Sequence, residues 1–540
     1  MKFLTHTLFP IVFSVALSQP AGAQVPAPGS APGELPVAGS FIDRHLALDG
    51  YMRLRFDVME NLDLNHGPTP TTGQPLFPTN DGSDAPITSS NIRLRFDPAI
   101  MVGWGVSFHA RVDILDNVVL GSTPEGLPTS VWAPMSGGSA SQLPPESGRN
   151  AESDSIRVKR AWAQVILPVG LLSAGRMGAL IDWGTGFFIN SGNCIDCDMG
   201  DVGDRVAFVM PIKDQLLGVA FDFGASGPTS ASLRADPQAF DIDRRDDVRS
   251  YALLLTNYEL PSVIERYRKA GRFRFLYGVV ASLRTQEYDV PAYYLTGDLD
   301  RQYTEEDLVR RGILAFAGDL WLGMRYRGWT VDLEAATVVS RIDNASLLPG
   351  TEFLQEITAR QFGGVARVRH SWSRVHLQLE LGMASGDDAP GFGVRSPLNQ
   401  LSSQPGDIDG PQISIPGDTT VNNFRFNPDY HIDEILWRRI IGTVTDAFYA
   451  RPSAAWEPFR GFTLESALIS STALEGASTP SGEQALGLEL DLAASYQFEK
   501  AFYVSMSYGV LFPFGGLRNT RLGLDPEPAQ LFHVILAYLL

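Results

Sequence analysis

The chain has 540 residues, a net charge of −18, 19% charged residues and two cysteines. That acidic balance excludes a nucleic-acid binder, which needs clustered positive charge. After the N-terminus no stretch reaches the roughly 18 apolar residues of a membrane helix, so any membrane-spanning part must be built from strands.

Residues 1–23 read as a secretory signal: Lys2, an apolar core at Leu8–Leu17, then Ala21-Gly22-Ala23 before Gln24. Residues 24–40 are rich in Pro, Ala and Gly and read as a periplasmic linker, leaving 41–540 as one folded unit. From Arg44 onward the hydropathy has a period of two. Met52, Leu54, Phe56 and Val58 oppose Arg53, Arg55 and Asp57, and Ile92, Leu94 and Phe96 oppose Arg93, Arg95 and Asp97. Val331, Leu333 and Ala335 oppose Asp332 and Glu334 further on. The longest run is a hairpin at 485–512, with Leu488, Leu490 and Leu492 against Glu489 and Asp491 in its first arm. A helix cannot sustain this period, and arms of ten or more residues match the 9–11 residues of a tilted membrane strand.

About eighteen such segments start near 42, 89, 101, 153, 170, 203, 215, 248, 271, 312, 328, 355, 373, 443, 461, 484, 501 and 528. Short and long spacers alternate between them, as short periplasmic turns and long extracellular loops do in outer-membrane barrels. The turn at 259–270 is long enough for a helical turn. The fold expected is all-β: a transmembrane antiparallel up-and-down barrel of about 18 strands. Its closing strand would carry Phe532, Val534, Leu536, Tyr538 and Leu540 toward lipid, a signal for the barrel-assembly machinery. Outer-membrane lipid is then the surrounding partner.

The pore lining expected from this register includes Arg53, Arg55, Arg93, Arg95, Arg111, Arg157, Lys159, Arg272, Arg274, Arg325, Arg327, Arg367 and Arg369. Such cations either pair across strands with wall acids, as Arg325 and Arg327 could with Asp332 and Glu334, or give an interior that favours anions. The segment 179–202 holds Trp183-Gly-Thr-Gly186 and then Cys194 and Cys197, expected to form a disulfide after secretion. Asp196, Asp198, Asp201 and Asp204 follow the composition of a calcium loop without its complete spacing, so a structural calcium stands beside a solvated acidic loop. No other cofactor is expected. The long insertion 387–442 ends with Ile432, Ile435, Leu436 and Ile440 on one helical face, which must be buried, either in the barrel mouth or on its rim. Eight scattered histidines form no hydrolase or metalloprotease pattern, so no enzyme is expected.

Two stretches resemble a family of uncharacterised outer-membrane proteins typical of myxobacteria. One is Gly175-Arg-Met177, Trp183–Gly186, Asn193 and Asp196–Arg205; the other is Phe426–Tyr430, Trp437–Ile440 and Gly442–Val444. That family is similar in architecture to large monomeric porins, including the alginate-export type with an Arg-lined pore. The resemblance implies a porin-like architecture, and with the cation-rich interior the expected function is a channel for passive diffusion of hydrophilic solutes, anions favoured. The alternative is a sealed barrel with an adhesion or envelope-structural role.

Overall fold

The structure is a computed structural model. It describes residues 46–540 except 72, 74, 78–85, 103–104, 120–155, 180–182, 225–243, 260, 290–305, 307, 345, 347–355, 395–403, 411, 414–416 and 500. The expected signal peptide and linker lie outside the described residues.

Eighteen strands form one antiparallel sheet in which each strand pairs with its neighbours in sequence. They are β1 (Leu46–Glu60), β2 (Ile87–Val102), β3 (Val106–Val119), β4 (Ile156–Leu167), β5 (Gly170–Gly178), β6 (Val202–Ile212), β7 (Gln215–Gly224), β8 (Val248–Thr256) and β9 (Arg274–Asp289). Then follow β10 (Val309–Tyr326), β11 (Trp329–Ile342), β12 (Ile357–Ser371), β13 (Val375–Ala384), β14 (Ala447–Phe459), β15 (Phe462–Ala473), β16 (Ala485–Phe498), β17 (Phe502–Pro513) and β18 (Ala529–Leu539). β18 closes on β1 in register from Tyr51↔Leu539 to Glu60↔Gln530. Closure removes both sheet edges, so every strand's backbone polar groups can be paired without water, which hydrocarbon demands.

Side-chain burial is inverted relative to a soluble sandwich. Outward Leu333 and Leu492 are 40% and 47% exposed, while inward Arg367 and Glu489 are each 1% exposed. Large aromatics mark the periplasmic ends, as in Trp329 tilted against His370 (4.3 Å) and Phe459 stacked on Phe462 (5.0 Å). Aromatic girdles of this kind mark the water–lipid interface. The turn between β8 and β9 carries helix α1 (Pro261–Lys269), as its length suggested.

Strand starts agree with the sequence reading to within a few residues, with one consequential local departure. β4 is shifted against β3 between Arg111 and Val112, so Arg111 faces Arg160 and Val112 faces Val158. Lys159 is the extra residue, and Arg160 turns inward after it.

The molecule also has an apolar core inside the upper lumen. Phe187, Phe392, Phe424, Phe426, Ile432, Ile435, Leu436, Trp437, Ile440 and Ile441, all from inter-strand segments, pack on wall residues Tyr449, Ile469, Leu486, Leu511 and Leu531. The predicted apolar helix is a six-residue π-helical turn, Leu436–Ile441, ended by Gly442 in the left-handed region (φ 115°). It lies in the lumen, not on the rim.

Candidate functional site: two loops folded into the barrel

Two inter-strand segments enter the lumen: 183–201 between β5 and β6, and the described residues of 385–446 between β13 and β14. Each is seated by glycines in the wall. A Cβ on Gly278 of β9 would come 2.4 Å from the Trp183 ring, and one on Gly363 of β12 would come 2.5 Å from the Phe424 ring. Beside Trp183, the Thr185 N–H donates to the Glu334 carboxylate on β11. Gly184 (φ +57°) lies against the same carboxylate, leaving no space for a side chain. The Trp-Gly-Thr-Gly motif is thus a wall-docking device.

At the tip of the first segment Cys194 and Cys197 are disulfide-bonded, with Cα atoms 5.0 Å apart. The Cys197 N–H donates to the Cys194 carbonyl, closing a tight turn. That turn presents its carbonyls and carboxylates to three arginines of β1 and β2. Arg53 donates to the Ile195 carbonyl (2.7 Å) and to Asp198 (2.9 Å). Arg55 donates to Asp196 (3.1 Å) and Asp198 (2.7 Å), and Arg93 to the Cys197 carbonyl (2.8 Å). Arg93 also pairs with Asp116 (2.6 Å) and Asp198 (2.9 Å). Arg95 grips Asp113 with two bonds (2.7 and 2.8 Å).

The second segment locks onto the first. Asp429 accepts the N–H groups of Asp198 (3.0 Å) and Met199 (3.0 Å). Arg438 donates to Asp196 and to Glu434, and Arg439 to Asp57 of β1 (2.9 Å). His533 of β18 stands between Asp57 (2.6 Å) and Asp196 (3.4 Å). Glu489 of β16 accepts three backbone N–H groups, from Glu434 (3.0 Å), Ile435 (2.7 Å) and Leu436 (3.0 Å), at the start of the π-helical turn. A carboxylate there satisfies unpaired donors and complements the helix dipole. The Trp437 indole donates to Ser471 of β15 (2.9 Å). Tyr430 and Tyr449 hydroxyls donate to Glu380, which also pairs with Arg367 (2.7 Å).

Burial alone would raise the carboxyls of Asp196 and Asp198. Arg438 and His533 at Asp196, and Arg55, Arg53 and Arg93 at Asp198, overcome it and hold both well below the usual range. Asp429 shows the opposite outcome. Burial and then the charge of Asp198 push it up to about 6 against its two N–H donors.

Most predicted lining cations therefore have carboxylate partners. To those above are added Arg111 with Asp97 (2.7 and 2.9 Å), Lys159 with Asp116 (2.5 Å), Arg274 with Glu259 (3.0 Å) and Arg325 with Asp332 (2.7 Å). Arg157 faces Asp113 across β3 and β4. Arg272 and Arg327 are in periplasmic turns, the latter over the Tyr326 ring (5.2 Å). Arg369 alone of the set is on the wall with no carboxylate at ion-pair distance among the described residues.

The four aspartates considered for calcium diverge. Asp196 and Asp198 take arginines, Asp201 accepts the Asn190 N–H (2.7 Å), and Asp204 faces outward with Arg176 (2.8 Å). Among the described residues, the group of three carboxylates close enough to share an ion is Asp387, Asp388 and Asp418, in the second segment.

Sequence reasoning missed Arg160, which donates to the Ser191 carbonyl; the β4 bulge that turns it inward leaves no mark in hydropathy. It also missed Arg205, Asp222, Ser250 and Arg284 on β6 to β9. Arg205 and Asp222 form a two-bond pair (2.5 and 2.7 Å) that keeps 30% and 23% side-chain exposure. Arg284 is exposed, and its Nε donates to Ser250 (3.0 Å). His109 and Trp162 stack on the adjoining wall (4.9 Å). Arg205, Asp222 and Arg284 stay accessible to solvent.

A closed, even-stranded barrel with an apolar outside, aromatic rims and a charged interior is an outer-membrane β-barrel. No protein-family model and no curated protein matches the chain. Among solved structures it is similar to the outer membrane protein OpdK of Pseudomonas aeruginosa (11% identity, 92% of this chain and 99% of that one, TM-score 0.44). It is also similar to a BenF-like porin of Pseudomonas fluorescens Pf-5 (8% identity, 92% and 98%, TM-score 0.45). A third is OpdG of Pseudomonas aeruginosa (11% identity, 91% and 98%, TM-score 0.46).

Proposed function

We propose that the chain is a passive outer-membrane channel for hydrophilic solutes, with anions favoured and no covalent chemistry. The observation that carries this reading is the uneven filling of the lumen. Polar side chains on β6 to β9, Arg205, Asp222 and Arg284 among them, keep water access, while the charged wall residues of β1 and β2 are covered by the first of the two locked loops. Anion preference is assigned to Arg284 and Arg369, whose guanidinium charge no carboxylate among the described residues cancels at ion-pair distance. The arginine ladder of β1 and β2 is spent on holding the disulfide loop.

The affinity with uncharacterised myxobacterial-type barrels is part of this proposal. It is supported by the way the two motif stretches are the segments that lock together, through Asp429 and Arg438. Assembly through the barrel-assembly machinery, reading the closing strand, is proposed with it.

Purified protein in planar bilayers tests the function. The account expects discrete conductance steps and a reversal potential on the anion side under a salt gradient. A cation-side potential contradicts the selectivity. Silence in every preparation of folded barrel contradicts the channel and leaves the sealed, envelope-structural barrel.

A further inference from the structure

The outer surface of β11 and β12 carries arginines at one place, its extracellular end. From the periplasmic aromatics Trp329 and His370, the outward positions run through Leu333 and Val339 on β11 and through Val368 and Phe362 on β12, all exposed and apolar. The next outward residues are Arg341 and Arg360. Arg341 lies twelve residues along β11 from Trp329, and Arg360 ten along β12 from His370. Since about 9–11 tilted residues cross the hydrocarbon, both guanidiniums stand at the outer interface.

Their register makes them neighbours. Val339 pairs with Arg360 and Arg341 with Thr358, so the two arginines are diagonal on one face. Arg341 has only a loose ion pair, with Asp343 at 3.8 Å and both side chains more than half exposed. Arg360 has no acidic partner among the described residues. Across the barrel, outward Arg176 is treated differently, gripped by Asp204 through two bonds of 2.8 Å. Two adjacent, incompletely neutralised arginines directly above an apolar band call for an anion that arrives with its own acyl chains. The planar donor fork of Arg matches phosphate oxygens.

We propose that Arg341 and Arg360 form a docking site for the phosphate of an outer-leaflet phosphoglycolipid, whose chains lie on the Val339 and Phe362 surface. The test uses the full barrel refolded in a neutral detergent, with thermal unfolding followed on adding phosphorylated lipid A, fully dephosphorylated lipid A or inorganic phosphate. Phosphorylated lipid A should raise the Tm by several degrees. The other two additives should leave it unchanged. R341Q/R360Q, and more weakly R360Q alone, should lose at least half of that rise, whereas R176Q should keep it. An equal rise with dephosphorylated lipid A, a rise with inorganic phosphate, no rise at all, or a full rise in the double variant would each overturn the site.

Discussion

The β1–β2 wall and the β6–β9 wall carry the same kinds of side chains and use them in opposite ways. Arg53, Arg55 and Arg93 are fully covered by a loop that brings Asp196, Asp198 and two carbonyls to them. Arg205 and Asp222 pair with each other across neighbouring strands and stay wet. Charge on a barrel wall therefore says little about a pore until the loops are placed. A wall arginine is part of the scaffold when its carboxylate comes from an inward segment, and part of the path when it faces water.

Breaking the covered side should have the largest effect. D198A strands Arg53, Arg55 and Arg93 without a shared carboxylate, and removing one partner of a buried network costs roughly 3–5 kcal/mol. The expected outcome in urea or thermal unfolding is a loss of that order, with a noisy, larger conductance wherever the barrel still closes. D222N on the wet side should cost less than about 1 kcal/mol, the scale of an exposed pair. Equal losses at the two sites would erase the distinction.

Next comes the glycine socket. G278V would drive a side chain into the Trp183 ring, and overpacking of this kind costs about 1–3 kcal/mol. We expect Trp183 to be expelled, seen as a red-shifted component in tryptophan emission, with the strand register kept.

The loop–loop contact has its own pH signature. The carboxyl of Asp429 is raised to about 6 in the folded chain from an ordinary 3.8. Its contribution is therefore present below pH 4 and lost as pH rises toward 6. D429N should abolish that slope and make the barrel more stable at neutral pH by up to about 2–3 kcal/mol. Asp196 and Asp198 work in the opposite sense. Their folded values are depressed, so their stabilisation is held above pH 4 and fades only in stronger acid. A D429N barrel with an unaltered profile between pH 4 and 6 would remove Asp429 from this role.

The smallest expected change is W437F. It keeps the ring in the apolar core and deletes the bond to Ser471, for a loss of about 1 kcal/mol in thermal unfolding.

How much of this could be read from the chain follows from distance in sequence. The alternation of Leu488, Leu490 and Leu492 against Glu489 and Asp491 is a local signal, and it gave strand, face and, repeated along the chain, an even strand number. The burial of an apolar face at 432–440 followed from solvation alone. The partners of Arg55 did not. Its carboxylates lie 141 and 143 residues away, in a loop whose acidic composition suggested calcium just as well. The bulge at Lys159 was equally silent, because one extra residue moves Arg160 inward without altering hydropathy.

The central claim is that water runs along the β6–β9 wall and not past the loops. Thiol labelling during conductance recording tests it most directly, with the native cysteines kept in their disulfide. A charged, membrane-impermeant reagent should modify S282C and A220C and reduce the current, and should leave A467C, on the filled side, unmodified. Rapid labelling of A467C with S282C and A220C inert would contradict the account.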